Sequence, residues 1–484
     1  FDYSDLSANY SLGYISEIRK KDSDINFGFS FPWNKHLAFD LSYIKGNTFN
    51  FSFTYGLTFD NKLSTKPKFD PDLINEKKTG NKKIDFYEDL LRNLNRNRLL
   101  LQTSDLDGGN LDISISTSEH RNAIRSSSYA SSIANEVAKE HDVDLKTINI
   151  SHINVGIETN KISYLAKYYD GKLSPIELTI RNTSYDSGDP GGYLEDEFQP
   201  KVKFPVIFSS FSPSVRSYIG NPERFYFGGI DLNYNSEVQF SRNLILTSEF
   251  SYPVFNNFSD VSYNPDSLMR HARTDIVKYL QEDDIHLNRM QLDYIWSPYK
   301  EIYSKITAGI FEQMYGGYGG EILYIPFDKN YYVGFEMFYV KQRSFDKRLD
   351  FQKYETTTGH INFGYRFAKG VESRLSYGRY LAKDDGFSLD LSRTTMSGFK
   401  AGIYFTRTDV PAEIFGEGSF DKGFYFQIPL DLISNMYSSE YSTFKISPLT
   451  RDGGAKLIHD KELKGLIYNS TKYEIYRQWS GFLD

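Results

Sequence analysis

Phe49-Asn50-Phe51-Ser52-Phe53-Thr54-Tyr55-Gly56-Leu57-Thr58-Phe59 is the stretch that decides the fold. Every second residue is aromatic or Leu, and the residues between are small or polar. Period-two alternation places the two sets on opposite faces of a strand. The run is long enough to cross a bilayer, which takes about 9–11 tilted residues. Just upstream, Ile25, Phe27, Phe29 and Phe31 alternate with Asn26, Gly28 and Ser30. After Pro32 the pattern resumes in Leu37, Phe39, Leu41 and Tyr43, followed by a Lys45-Gly46-Asn47 turn.

The second half repeats the rhythm. Ile361, Phe363, Tyr365 and Phe367 alternate with Asn362, Gly364 and Arg366. Phe387, Leu389 and Leu391 alternate with Ser388, Asp390 and Ser392, and Phe399, Ala401, Ile403 and Phe405 with Lys400, Gly402 and Tyr404. Phe424, Phe426, Ile428 and Leu430 form a further apolar set. Ala368-Lys369-Gly370 and Asp384-Asp385-Gly386 carry turn chemistry. The pattern predicts an antiparallel meander of about 18–22 strands.

A water-soluble sandwich also alternates, but it carries Lys and Glu on its wet face. Here one face is Phe, Tyr and Leu over whole strands, and the other is small or polar. Composition agrees: 38 Tyr and 38 Phe make up most of a 16% aromatic fraction. Barrel proteins use aromatics on the lipid face and in the interfacial girdles. Mean hydropathy is −0.50, and no run of apolar residues reaches the ~20 that a spanning helix needs. Cysteine is absent, which suits an oxidising envelope. The net charge of −7 is opposite in sign to the basic surface of a general nucleic-acid binder, so no nucleic-acid partner is expected.

Two stretches break the rhythm. At 62–160, a polar linker with Pro67 and Pro71 precedes Tyr87, Leu90, Leu91 and Leu94, the apolar stripe of a helix. Leu111, Ile113 and Ile115 predict a short strand. Ser118 is placed to cap a second helix that buries Tyr129, Ile133 and Val137, and Ile148 and Ile150 begin another strand. Irregular backbone cannot face lipid, so this small α/β unit is expected in the periplasm. The second break predicts a helical plug or rim element near 266–283, starting at Asp266 or Ser267 and ending in an acidic run that includes Asp283 and Asp284.

Motifs of enzyme chemistry are largely absent. There is no His-Glu-x-x-His, no Gly-Lys-Ser/Thr phosphate loop and no Gly-x-Ser-x-Gly elbow. His141-Asp142-Val143-Asp144 reads as a solvated helix end, and Asp283-Asp284 as an acidic turn. The Gly-rich run from Gly316 to Gly320 marks a bend or a close backbone approach. The sequence points to no catalytic residue, no cofactor and no metal.

Several strings carry a family resemblance: Met314-Tyr315-Gly316-Gly317, Tyr339-Val340-Lys341-Gln342-Arg343, Gly378-Arg379-Tyr380-Leu381-Ala382, Gly416-Glu417-Gly418-Ser419-Phe420-Asp421-Lys422-Gly423 and Pro448-Leu449-Thr450-Arg451-Asp452-Gly453-Gly454. With them the chain resembles the YjbH/GfcD family of outer-membrane exopolysaccharide and capsule proteins. The resemblance implies a large outer-membrane barrel, single or tandem, encoded beside periplasmic and lipoprotein partners of a polysaccharide export system. It also implies a further segment before the first hairpin. Tyr315, Gly316, Gly317, Arg451 and Asp452 are family-motif candidates to which it attaches no role.

The expectation is therefore an all-β protein: a large antiparallel transmembrane β-barrel in the outer membrane of a Gram-negative bacterium, in contact with its lipid. Barrel strands are expected at 1–61 and 161–484, with the small α/β periplasmic domain inserted at 62–160. Its expected role is secretion of an extracellular or capsular polysaccharide, as a translocation conduit. The alternatives are a non-conducting scaffold for the periplasmic and lipoprotein partners, or a porin-like channel. The segment 341–383 carries ten basic against four acidic residues. Arg366 and Arg374 fall opposite the apolar set of their strands, as do Lys400 and Tyr404 of the neighbouring run. These four are the lumen and polymer-contact candidates.

Overall fold

The computed structural model describes residues 23, 25–32, 37–44, 46, 48–55, 66, 69, 73–74, 80–169, 183–219, 226–261, 267–282, 284–415, 420–448 and 451–479. Leu57 and Phe59, Pro67 and Pro71, Asp266, Asp283, the string 416–419 and residues 449–450 lie outside them.

The described strands form three sheets. The N-terminal one joins β1 (Phe27–Pro32), β2 (Leu37–Ile44) and β3 (Thr48–Tyr55). Its register pairs Phe29 with Leu41 and Phe39 with Phe53, so the apolar residues of the three strands share one face. Phe29, Phe49 and Phe51 on that face are largely exposed.

A mixed five-stranded sheet follows: β4 (Leu100–Asp107), β5 (Asn110–Ser116), β6 (Thr147–Asn154), β7 (Ile157–Leu165) and β8 (Ser184–Ser187). β5 and β6 pair in parallel; the crossover between them is a helix, as a parallel connection requires. Helices α1 (Lys82–Arg96) and α2 (Ala123–Glu140) supply the apolar stripes read above. Phe86, Leu90, Leu94, Ile133 and Val137 pack with Leu111, Ile113 and Ile150 of the sheet in one core. Asn81 caps α1, its Oδ1 accepting from the Lys83 amide at 3.2 Å. The cap of α2 is Asn122, accepting from the Arg125 amide at 2.9 Å, and not Ser118. The sheet continues past 160 to Ser187. The alternation of Asn160, Ile162 and Tyr164 gave no sign of this, because a buried sheet strand and a barrel strand share the same period.

The third sheet is a thirteen-stranded antiparallel meander. Its strands are β9 (Val206–Ile219), β10 (Tyr226–Gln239), β11 (Leu244–Asn256), β12 (His286–Tyr299), β13 (Ile302–Ile310), β14 (Tyr315–Tyr324) and β15 (Tyr331–Arg343). They continue as β16 (Phe351–Arg366), β17 (Val371–Arg379), β18 (Asp385–Thr394), β19 (Lys400–Thr408), β20 (Asp421–Pro429) and β21 (Tyr441–Ile446). Each strand pairs with its sequence neighbour, and β9 and β21 are the two edges.

Its burial is inverted relative to a water-soluble sheet. On β16 and β17, Ile361, Phe363, Tyr365, Leu375 and Tyr377 are 41–62% exposed. On the other face of the same strands His360, Arg366, Glu372 and Ser376 are at most 3% exposed. The polar face is concave. A single cavity touches both Glu249 of β11 and Lys445 of β21, near opposite edges of the sheet.

Two further findings concern the helical and C-terminal segments. Near 266–283 the helix is short: α3 (Ile276–Leu280) caps one end of the sheet, with Tyr279 donating to the Arg343 carbonyl at 2.5 Å. Residues 451–479, which the sequence assigns to barrel strands, contain no strand. They run the length of the concave face instead, with short helical turns at Leu463–Ile467 and Lys472–Arg477. Among the described residues this strap, rather than α3, is what crosses the interior.

Candidate functional site

The strap is tied down at both ends and in the middle. At the α3 end the Asp452 carboxylate accepts from the Arg273 and Thr274 amides at 2.6 and 2.9 Å and from the Thr274 hydroxyl at 2.6 Å. Half-way along, Lys461 pairs with Glu237 of β10 at 2.7 Å, and Glu462 with Arg374 of β17 at 3.0 Å. Lys464 pairs with the buried Glu372. At the far end the Asn122 side chain donates to the Gln478 carbonyl at 2.9 Å, which joins the strap to the first turn of α2. The mixed sheet therefore sits over that end of the large sheet. The buried pair Arg121–Asp431, at 3.0 Å, adds a second tie.

Strand alternation places the inward side chains. Arg366, which the sequence points inward, is 1% exposed and tied to the strap. It donates to the Thr471 hydroxyl and, at 3.0 Å, to the Lys329 carbonyl, with its guanidinium 5.2 Å from the Tyr468 ring. Arg374, Lys400 and Tyr404, the other three lumen candidates, line one cavity of about 840 Å³ between the strap and the concave face, reaching from β11 and β12 to β21. Arg451 lines it too, stacked 5.2 Å from the Phe415 ring. Asp452, Tyr315, Gly316 and Gly317 do not. Tyr315 is buried beneath α3, donating to the Ala272 carbonyl at 3.2 Å. Gly317 is a close approach of backbone: a Cβ there would lie 2.0 Å from the Tyr339 carbonyl oxygen.

The cavity wall carries eight basic and five acidic residues, with the rings of Tyr404, Tyr425, Tyr441 and Tyr468 among them. The strap contributes Lys456, Glu462, Lys464 and Tyr468 to that wall, residues the sequence reading did not single out. Their signal was weak: a dense polar run after the last alternating strand, with no period of its own.

Beside the cavity, Glu321, Glu336 and His459 bring their ligand atoms within 4.8 Å of one another. The Lys305 side chain is inside this group, paired with Glu321 and 3.2 Å from His459 Nδ1. An ammonium already supplies the positive charge there, so the cluster is a buried ion-pair network. Buried carboxylates are tolerated when paired in this way.

The family model described as "Exopolysaccharide biosynthesis protein YbjH" matches residues 2–469. The chain belongs to the YjbH exopolysaccharide-biosynthesis family. It is similar to the "Uncharacterized lipoprotein YjbH" of Escherichia coli (strain K12), 27% identical over 472 residues that cover 93% of this chain. The chain spans 65% of the length of that relative. Among solved structures, the OmpF complex with daunomycin from Salmonella typhi covers 50% of this chain and 96% of its own, at 10% identity and a TM-score of 0.25. That likeness is too slight to carry an argument about this YjbH-family chain.

Proposed function

We propose that this YjbH-family protein is an outer-membrane β-barrel that takes part in secretion of an extracellular polysaccharide, as a conduit gated by its C-terminal strap. The observation that carries the reading is the inverted burial of the large sheet. Aromatic and aliphatic side chains are exposed on the convex face, while polar and charged ones fill the concave face, as lipid outside and a polar lumen inside require. The strand lengths fit, since β9 to β12 each exceed the ~9–11 residues of a tilted crossing. β1–β3 carry the same exposed aromatic face as the meander. The longest connection between the described strands of the meander, 257–285, lies at the end away from the mixed sheet. By the usual orientation the mixed sheet then faces the periplasm, where partner proteins of an export system would dock.

The strap and the mixed sheet favour one further reading, a non-conducting scaffold whose lumen stays filled. Single-channel recording on the purified full chain in planar bilayers, paired with polysaccharide export in a deletion strain, tests both. Export lost on deletion and restored by the wild-type chain, together with ion current once the strap is loosened, supports the conduit. Lost export with a lumen that stays closed after loosening supports the scaffold. A chain that fractionates away from the outer membrane ends both readings.

A further inference from the structure

The cavity beneath the strap has the makings of a binding site rather than of packing left incomplete. Ligand pockets occupy roughly 300–1,000 Å³, and this one measures about 840 Å³. It is reachable past the end of β21, where the lining residues Ser447 and Pro448 are exposed. The charges on its wall are not balanced among themselves. Lys400, Lys445 and Lys456 line it, and among the described residues none of the three ammonium groups has a carboxylate within ion-pairing distance. Lys400 lies 6.0 Å from the ring centres of both Tyr425 and Tyr468, between two aromatic rings.

The remaining polar groups suit hydroxyls. Glu249, Asp390 and Asp421 line the cavity without an ion pair, and Tyr425 donates to Asp390 at 3.0 Å. Carboxylates and Tyr hydroxyls are the acceptors and donors that a sugar's hydroxyl groups use. Tyr rings offer an apolar body with a polar tip. Two of the eight wall cations pair with carboxylates off the wall, Lys464 with Glu372 and Arg289 with Asp460, which leaves six against five anions, so a neutral sugar would leave one positive charge uncompensated in a partly enclosed space.

We propose that this cavity is a binding site for an acidic sugar unit, a uronate within an oligosaccharide, with its carboxylate at Lys400 and Lys456 and its ring against Tyr425 and Tyr468. This rests on the reading of the protein as a component of polysaccharide secretion and names the substrate class of that same site. Because Lys456 and Tyr468 belong to the strap while Lys400 and Tyr425 belong to the sheet, a bound uronate would bridge the two and favour the docked position of the strap.

The test is isothermal titration of the purified full chain in detergent with tetragalacturonate, and with maltotetraose as the neutral comparison. Tetragalacturonate should bind at one site, at least tenfold more tightly than maltotetraose, and weaken as salt is raised. The K400Q/K456Q variant should lose at least tenfold in affinity, while K400R/K456R, which keeps both charges, should retain most of it. Equal binding of the neutral sugar would overturn the acidic class. Unchanged binding by K400Q/K456Q would overturn the site. If K400Q/K456Q fails to fold, the comparison of wild type with K400R/K456R and the salt dependence still decide. Inorganic phosphate displacing the uronate at equal concentration would point to a generic anion site, against the proposal. Loss of export on deletion alongside absence of uronate binding would sink this inference and leave the proposed function standing.

Discussion

Arg374 of β17 holds Glu462 of the strap at 3.0 Å, across the width of the concave face. Two strap residues on, Lys464 pairs with Glu372 of the same strand. The second pair is the more buried, with side chains 15% and 3% exposed. Removing one partner of a buried pair strands the other charge, a cost of about 3–5 kcal/mol, whereas a half-exposed pair is worth about 1 kcal/mol or less. Lys464→Met should therefore loosen the strap more than Glu462→Gln does. In planar bilayers the first variant should show frequent open events and the second few, and replacing both members of the pair, Glu372→Met with Lys464→Met, should restore much of the closure. Identical traces from all three would remove the ion pairs from the gate.

Phe363, 47% exposed on the convex face, lies between Asn362 and Gly364, whose side faces inward. Phe363→Arg should destabilise the folded state in lipid by about 2–4 kcal/mol if the residue lies near the midplane. Asn362→Ser, on the polar face, should cost under 1 kcal/mol. Urea titrations of the chain refolded into lipid vesicles measure both. Equal costs at the two neighbours would contradict the assignment of faces.

The mixed sheet should respond to acid. His152 of β6 is enclosed, its Nδ1 2.8 Å from Asn160 Oδ1 and its Nε2 2.8 Å from the Ser126 hydroxyl. Burial pulls its imidazole down to about 4 from an ordinary 6.5. The folded state thus prefers the neutral ring. The stability this contributes is complete above about pH 6.5 and is lost as pH falls from there toward 4. Hydrogen exchange in α2 and β6 of the full chain should accelerate between pH 6.5 and 4.5, beyond the intrinsic effect of pH. His152→Gln should flatten that dependence, and a wild-type profile that is already flat would place the imidazole's titration elsewhere.

The faces of the strands were legible because alternation is a local property: Phe363 and Arg366 sort to opposite sides by spacing alone. The helical stripes of α1 and α2 were legible for the same reason, at a different period. Caps were less so, since Ser118 and Asn122 both satisfy the residue preference and only the backbone chooses between them. The strap was barely legible. A segment without regular structure carries no period, and its partners are distant, Lys464 and Glu372 being 92 residues apart. Arg366 illustrates the consequence. Its direction was readable, but its occupation by Thr471 and Tyr468 was not, so a side chain that looked available to a polymer is committed to the strap.

The start of the strap offers a test independent of the lumen charges. Asp452 is 3% exposed and receives three hydrogen bonds from Arg273 and Thr274, at 2.6, 2.9 and 2.6 Å. Arg273 in turn forks onto Glu312 with both distances at 2.9 Å and donates to the Lys456 carbonyl at 2.8 Å. One carboxylate thereby fixes the segment leading into α3 and the first turn of the strap together. Hydrogen bonds to a charged group contribute about 1.5–3 kcal/mol each, and they are not additive when they share one acceptor. Asp452→Ala should cost on the order of 3 kcal/mol of local stability, which corresponds to about a hundredfold faster exchange. The amides of residues 273–280 and 452–458 should accelerate together, while those of 472–478, tied to α2 by Asn122 at the far end, should stay protected. Asp452→Asn, which keeps one acceptor oxygen and the shape, should fall between. If exchange rises along the whole strap in Asp452→Ala, the two ends unlatch as one unit; if only 452–458 accelerates, Asp452 does not couple α3 to the strap.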